Sequence, residues 1–439
     1  MTGNNSKCGS QILSSSGRGD RALRLRRDFG RSDTAIDDTF VPMTMRDVNF
    51  PDEFLWGTST SAYQIEGGGT NTDWWRFENK EGSIAAEPCG YACDSWNRYE
   101  EDLDFIASLG LNSFRLSVEW ARIEPEQGVI SAEALEHYSQ VLASCHERSI
   151  LPVVTLHHFT LPLWVADAGG FESPEIVKWM ANYAKVVGEA LGPQIAMACT
   201  INEPNIVALM GYLGAIFPPE VSSWKRFVDV NATMRKCHVA MVEALRAGPG
   251  NYPIGLALSM TEYEVVDGGE DRMNSLRNEM EDEYLRVVGD DDFVGVQCYT
   301  KFLINPEGMV WDPKGELTEM GYLFWPKCVE YTVRRASQFT SIPIVVTENG
   351  IGTNDDTQRI RYLTEALKGL NNVRDEGVDV RGYFQWSLLD NFEWTLGYAP
   401  KFGIVEVDRT TFKRTPKPSA KWFADAAHAS PLNVKSGQQ

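Results

Sequence analysis

Eight short apolar runs, each followed by a longer stretch of helical period, constrain this chain more than any other feature. The runs are FLWGTST (54–60), SFRLSVEW (113–120), LPVVTLHHF (151–159), IAMACTIN (195–202), PIGLALSM (253–260), DFVGVQCYT (292–300), IPIVVTENG (342–350) and VRGYFQWSLLD (380–390). Most are continuously apolar rather than alternating, as expected of strands buried on both faces. Between them lie helical patterns with charged outer faces, such as 95–110, 131–149 and 356–377. Ser131 is placed to cap the second of these and Gly377 to end the third. This alternation predicts an α/β fold, a single (β/α)8 TIM barrel. A doubly wound open sheet is the alternative, disfavoured because no glycine-rich phosphate loop follows the first strand.

The pattern assigns residues 46–428 to one catalytic barrel domain and 429–439 to a C-terminal tail. Residues 1–45, rich in Ser, Gly and Arg, carry no sustained apolar periodicity and are expected to be a disordered leader, with Met43 or Met45 as alternative starts. The formal charge of −20, from 61 acidic and 41 basic residues, argues against a nucleic-acid or anionic-membrane partner. No apolar run approaches the roughly 20 residues of a membrane span, and no signal-peptide hydrophobic region is recognisable. The eight cysteines are scattered and only Cys89 and Cys93 are close, which fits a reducing, cytoplasmic compartment better than a zinc site. The acidic runs 279–284 and 290–292 are expected to be solvated helix faces and ends, not metal ligands.

In a barrel of this kind the chemistry sits at the C-terminal ends of the strands. Those ends carry Gln64 after the first run, Arg115 and Glu119 on the second, His157-His158 on the third and Asn202-Glu203 on the fourth. Tyr299 follows the sixth, Glu348-Asn349 end the seventh, and Trp386 with Glu393-Trp394 belong to the eighth. Rings that stack on a pyranose, together with amides and carboxylates that bind hydroxyls, are what a sugar site needs.

SAYQIEG, TINEPN, VTENG, WSLLDNFEW and GYAPKFGIVEVD, in that order from about Phe50 to Phe423, make the chain resemble glycoside hydrolase family 1, the β-glucosidase and β-glycosidase family. The resemblance implies a retaining exo-β-glycosidase that releases terminal β-D-glucosyl residues, with galactosyl or fucosyl as further glycones. The substrate would be a small-molecule β-glycoside, an oligosaccharide or an aryl, terpenoid or flavonoid glycoside. Glu348 matches the nucleophile and Glu203 the acid/base, two carboxyls that retaining enzymes hold about 5–5.5 Å apart. Arg115, Asn202 and Tyr299 would support the transition state and the nucleophile. Arg115 has a second candidate partner in Glu119. Gln64, His158, Trp386, Glu393 and Trp394 match the glycone-binding set. The implied mechanism needs neither a metal nor an organic cofactor, and it leaves the oligomeric state open.

The chain departs from the family pattern in four places. Phe159 stands where a Trp is usual, and Gln297-Cys298 where Asn-Tyr is usual. Ser95 takes the place of a common His, and the segment 261–291 is short, so a differently shaped active-site mouth is expected. Glu393-Trp394 favours a non-phosphorylated glycone, and Glu203 in place of a Gln favours O-glycosides. Two rivals are a transglycosylase of the same fold and a catalytically silent sugar-binding barrel. Silent relatives typically lose a catalytic glutamate, and this chain keeps both.

Overall fold

The computed structural model describes residues 53–310 and 315–429. The expected leader, 1–45, and the expected tail, apart from Ala429, lie outside the described residues. Eight parallel strands close into a barrel. They are β1 (Leu55–Ser59), β2 (Ser113–Ser117), β3 (Leu151–His157), β4 (Met197–Asn202), β5 (Ile254–Ser259), β6 (Phe293–Cys298), β7 (Ile344–Asn349) and β8 (Val380–Trp386). Neighbours in sequence are neighbours in the sheet, and β8 pairs with β1 to close it, which rules out the open doubly wound sheet.

The outer layer consists of α1 (Ser95–Ser108), α2 (Ala132–Glu147), α3 (Ile176–Leu191), α4 (Trp224–Arg246), α5 (Glu270–Arg277), α6 (Cys328–Ser337), α7 (Asp356–Asp375) and α8 (Pro418–His428). Ser131 caps α2 by accepting from the Ala134 amide. Gly377, two residues past α7, takes φ +94°, the left-handed conformation that glycine adopts without strain. On the inner faces of the strands a small cluster, including Val153, Met197, Phe293, Val345 and Phe384, fills the barrel below the rim. A larger apolar shell lies between strands and helices. Strand register then sets the level of the site: Ser59 pairs with Trp386 on one side and with Arg115 on the other.

Several runs stop being strand sooner than the apolar pattern predicts, and the residues beyond them form the rim. Trp120 opens a short helical turn, Trp120–Ile123, and Phe159 turns the chain out of β3 with φ +70°. The acidic runs also differ from expectation. Glu281 is fully buried, where Arg335 of α6 donates to it at 2.9 Å and the Thr261 amide at 2.9 Å supply the partners that water would have provided. Asp291 is buried against His238 at 3.0 Å. Both acids therefore join elements together. The short 261–291 segment supplies a strand, Glu262–Val265, that pairs in parallel with Lys301–Asn305, which in turn pairs with Gly308–Val310. This small sheet stands above the barrel, beside the site.

Candidate active site

Glu348 is the penultimate residue of β7, and the ladder on both sides of it is irregular. Register shifts occur between Val346 and Glu348 against β6, and between Val346 and Asn349 against β8. Bulges of this kind re-aim a side chain at the end of a strand. Gly350 follows at once, and a Cβ there would run into the Trp386 carbonyl, so the ends of β7 and β8 can abut only with glycine. The Glu348 carboxylate is almost fully buried and held on both oxygens. Arg115 Nη1 donates to Oε1 at 2.5 Å, and the Tyr299 hydroxyl donates to Oε2 at 2.5 Å. Arg115 thus pairs with Glu348 and not with Glu119. The latter instead accepts from the Thr160 hydroxyl at 3.0 and 2.9 Å and from the Ala121 amide.

Glu203 lies just past β4, where another register shift separates Cys199 from Asn202. Its backbone is left-handed (φ +41°, ψ 57°), and Pro204 begins the helix Pro204–Ala208 immediately after it. A non-glycine residue in this region carries strain that the surrounding structure must hold in place. Phe159 and Trp394, at the same mouth, also have positive φ. Unlike Glu348, Glu203 contacts no cation among the described residues. Burial pushes its pKa well above the carboxylate range, and the negative charge of Glu348 pushes it further, against a Ser259 hydrogen bond and the Arg115 charge. Burial also raises Glu348, but there the Arg115 charge and the Tyr299 hydrogen bond oppose it. The pair is therefore polarised, with the proton favoured on Glu203.

Asn202 ties the two sides together. Its Oδ1 accepts from Arg115 Nη2 at 2.5 Å and from Gln297 Nε2 at 2.9 Å, while its Nδ2 lies 3.2 Å from His158 Nε2. Accepting from Asn202 requires a neutral imidazole. Burial and the nearby Arg115 charge hold the pKa of His158 well below its ordinary value. Gln297, one of the departures from the family pattern, thus holds Asn202 from behind.

The opposite wall is equally fixed. Gln64 Oε1 accepts from Ser61 Oγ at 2.7 Å, and its Nε2 donates to the Phe392 carbonyl at 2.7 Å and faces Glu393 Oε2 at 3.5 Å. Burial and then the Glu348 charge push Glu393 up to about 8, against the Gln64 hydrogen bond. Trp394 is wedged in rings, parallel to Tyr63 (centroids 5.8 Å apart) and 4.9 Å from Phe159. Trp386 stacks 6.0 Å from His158, and its peptide to Ser387 is cis.

Nine of the ten sequence-predicted residues line one cavity of about 390 Å3, and Arg115 supports Glu348 from beneath it. Sequence reasoning missed the outer walls. Ile206, Met210, Ile216, Met309 and Tyr322 also line the cavity, but they come from loops and short elements without any periodic signal. The aromatic-rich GYLFW, 321–325, is the one local hint. Among the described residues no cluster of three or more His, Cys, Asp or Glu is placed to hold a metal ion, and no helix is long and apolar enough to cross a membrane.

The chain matches the sequence model described as glycosyl hydrolase family 1 over residues 46–296 and 281–431. It is 30% identical to a bifunctional β-D-glucosidase/β-D-fucosidase of Bifidobacterium breve, over 85% of this chain and 97% of the relative. It is 29% identical to β-glucosidase A of Acetivibrio thermocellus, over 87% and 98%. Its fold superposes on the crystal structure of β-glycosidase BGL167 with a TM-score of 0.82 and 39% identity, covering 89% of this chain and 99% of that one. On a barrel with this rim, and with matches that cover 85–89% of this chain and nearly all of each relative, the chain belongs to glycosyl hydrolase family 1.

Proposed function

We propose that the protein is a retaining exo-β-glycosidase that releases terminal β-D-glucosyl residues by double displacement. The observation that carries this reading is the asymmetry of the two buried carboxyls: Glu348 is clamped by Arg115 and Tyr299, whereas burial and the Glu348 charge outweigh the Ser259 hydrogen bond and the more distant Arg115 charge at Glu203. In the first step the charged Glu348 attacks the anomeric carbon. The bond to the leaving oxygen breaks, and Glu203 gives that oxygen its proton. The ester that forms on Glu348 no longer carries a charge, so the pKa of Glu203 falls and it can take a proton from water. The resulting hydroxide attacks the same carbon, Glu348 leaves as a carboxylate, and the sugar departs with the configuration it had at the start.

Asn202, positioned by Arg115 and Gln297, binds the 2-hydroxyl, where contacts strengthen as the oxocarbenium ion develops. Gln64, His158 and Glu393 bind the remaining hydroxyls, with Trp386 and Trp394 as apolar surfaces. The activities named for the relatives support glucose and fucose as glycones. The cytoplasm is the proposed compartment, supported by seven described cysteines that are all buried free thiols.

The test is hydrolysis of aryl β-D-glycosides by the wild type, Glu348→Gly and Glu203→Ala. Expected results are turnover by the wild type, loss of about 10³-fold or more in kcat for Glu348→Gly, and rescue of Glu203→Ala by azide on activated substrates, giving the β-glycosyl azide. A wild type inert toward every aryl β-glycoside, or normal turnover by Glu348→Gly, sinks the reading.

A further inference from the structure

The cavity changes character from floor to mouth. Around the two glutamates the walls are polar or aromatic, with Gln64, Asn202 and Glu348 buried and Glu393 partly so. Toward solvent the lining becomes aliphatic and thioether, and these side chains are only partly covered by the rest of the chain. Ile206 and Met210 follow Glu203 on the helical segment that it opens, and Ile216 is in the loop beyond. From the facing side come Phe302 and Met309, carried by the small sheet above β6, and Met309 is 45% exposed. Tyr322 bridges the two levels: it lies near enough to Glu393 and Glu203 for both charges, after burial, to raise its pKa.

Whatever is attached to the sugar through the oxygen that Glu203 protonates must lie against these surfaces. Resting on the double-displacement reading, we infer that the mouth selects glycosides whose leaving group is an apolar alkyl or aryl alcohol over those whose leaving group is a second sugar. The inference follows from what the walls offer. A sugar leaving group brings several hydroxyls, and each one left without a partner on desolvation costs about 1–3 kcal/mol. The polar groups on these walls are outnumbered by carbon and sulfur: the Thr300 hydroxyl is taken by the Leu323 carbonyl and the Thr261 amide by Glu281, which leaves the hydroxyls of Thr261, Tyr322 and Thr395 among the aliphatic, thioether and aromatic side chains. An apolar group meets half-exposed carbon and sulfur surface, whose burial is favourable for both sides. The methionines, unbranched and polarisable, let that surface fit leaving groups of different shape. The occupant is set by continuity, since Ile206 and Met210 follow within two helical turns of the acid and line the same cavity as Glu203.

The test uses the full-length enzyme on methyl, butyl, hexyl and octyl β-D-glucosides below micelle-forming concentrations, with cellobiose and p-nitrophenyl β-D-glucoside alongside. Alkanol leaving groups differ little in chemistry, so chain length reads contact with the mouth. We expect kcat/KM to rise by up to roughly fourfold per methylene until the mouth is filled, and octyl glucoside to exceed cellobiose by at least about tenfold. Met210→Gln and Met309→Gln should each lower the octyl-to-methyl ratio. A flat series, cellobiose equal to octyl glucoside, or a ratio unchanged in both variants overturns the inference while turnover of the p-nitrophenyl glucoside leaves the hydrolase reading standing. Failure to cleave any of the glucosides overturns the hydrolase reading, and the inference falls with it.

Discussion

Arg115 on β2 and Glu348 on β7 meet at 2.5 Å inside the barrel, with neither side chain more than 4% exposed. They come from opposite parts of the strand order, and no local pattern joins them. Because the pair is buried, the charged form of the carboxylate is favoured by the guanidinium, the Tyr299 hydroxyl and the Gln297 side chain against the burial that raises its pKa. That dependence makes the pair the most informative place to perturb the enzyme.

Replacing Arg115 by Met leaves Glu348 buried without its cation. Breaking a buried pair from one side costs about 3–5 kcal/mol, so kcat/KM should drop by at least about 10²-fold. Arg115 lowers the pKa of Glu348, so its removal raises that pKa and moves the acidic limb of the kcat/KM profile to higher pH. A pH–rate profile of the variant checks both effects, and an unmoved acidic limb contradicts the assigned role.

Tyr299→Phe removes one hydrogen bond to the charged form of Glu348 and leaves the ring packed against Phe402, whose centroid lies 5.9 Å away. A charge-assisted bond contributes about 1.5–3 kcal/mol, and part of that should appear as a loss of about 10-fold or more in kcat/KM. The acidic limb should again move upward, by less than in the Arg115 variant. Thermal stability should change little, which separates this effect from misfolding.

Glu203 owes its high pKa first to burial and then to the Glu348 charge. In Glu348→Gln the burial remains and the repulsion is gone, so the pKa of Glu203 should fall. Carbon-13 NMR of labelled glutamate in the two proteins measures this directly. A pKa unchanged or raised in the variant would show that the two carboxyls are not coupled.

His157, beside Phe171 with ring centroids 5.5 Å apart, is buried and its pKa is lowered to about 3, chiefly by burial. Its ordinary value is near 6.5, so between about pH 6.5 and 3 the unfolded chain binds a proton that the folded one does not. The neutral ring is therefore without penalty above that window, and stability is lost as pH falls through it. His157→Phe abolishes the titration. The difference in Tm between variant and wild type should widen in favour of the variant as pH drops from 7 to 4, as differential scanning calorimetry will read. A difference constant with pH would refute it.

The legible part of this protein was what local periodicity and short polar interruptions carry. Continuous apolar runs alternating with helices narrowed the fold to strands covered on both faces, a barrel or a doubly wound sheet, and the missing phosphate loop favoured the barrel. A carboxylate at the end of such a run, as at Glu203 and Glu348, has nowhere to go except the rim. The boundaries were less legible, because Phe159 and Trp120 are apolar yet leave the strand where the backbone turns to build the mouth. Glu281 read as solvent-facing because its partner, Arg335, is distant in sequence.

Tertiary structure alone decided which acid Arg115 binds, that Glu203 adopts a left-handed backbone, and that the walls beyond it are apolar. All three depend on barrel closure and strand register, which set β2 against β1 and bring β7 across from β4, and on loops whose side chains follow no period. A sequence specifies each strand through its own neighbours in the chain. The electrostatics of a buried pair depend on neighbours in space, and those exist only once the barrel has closed.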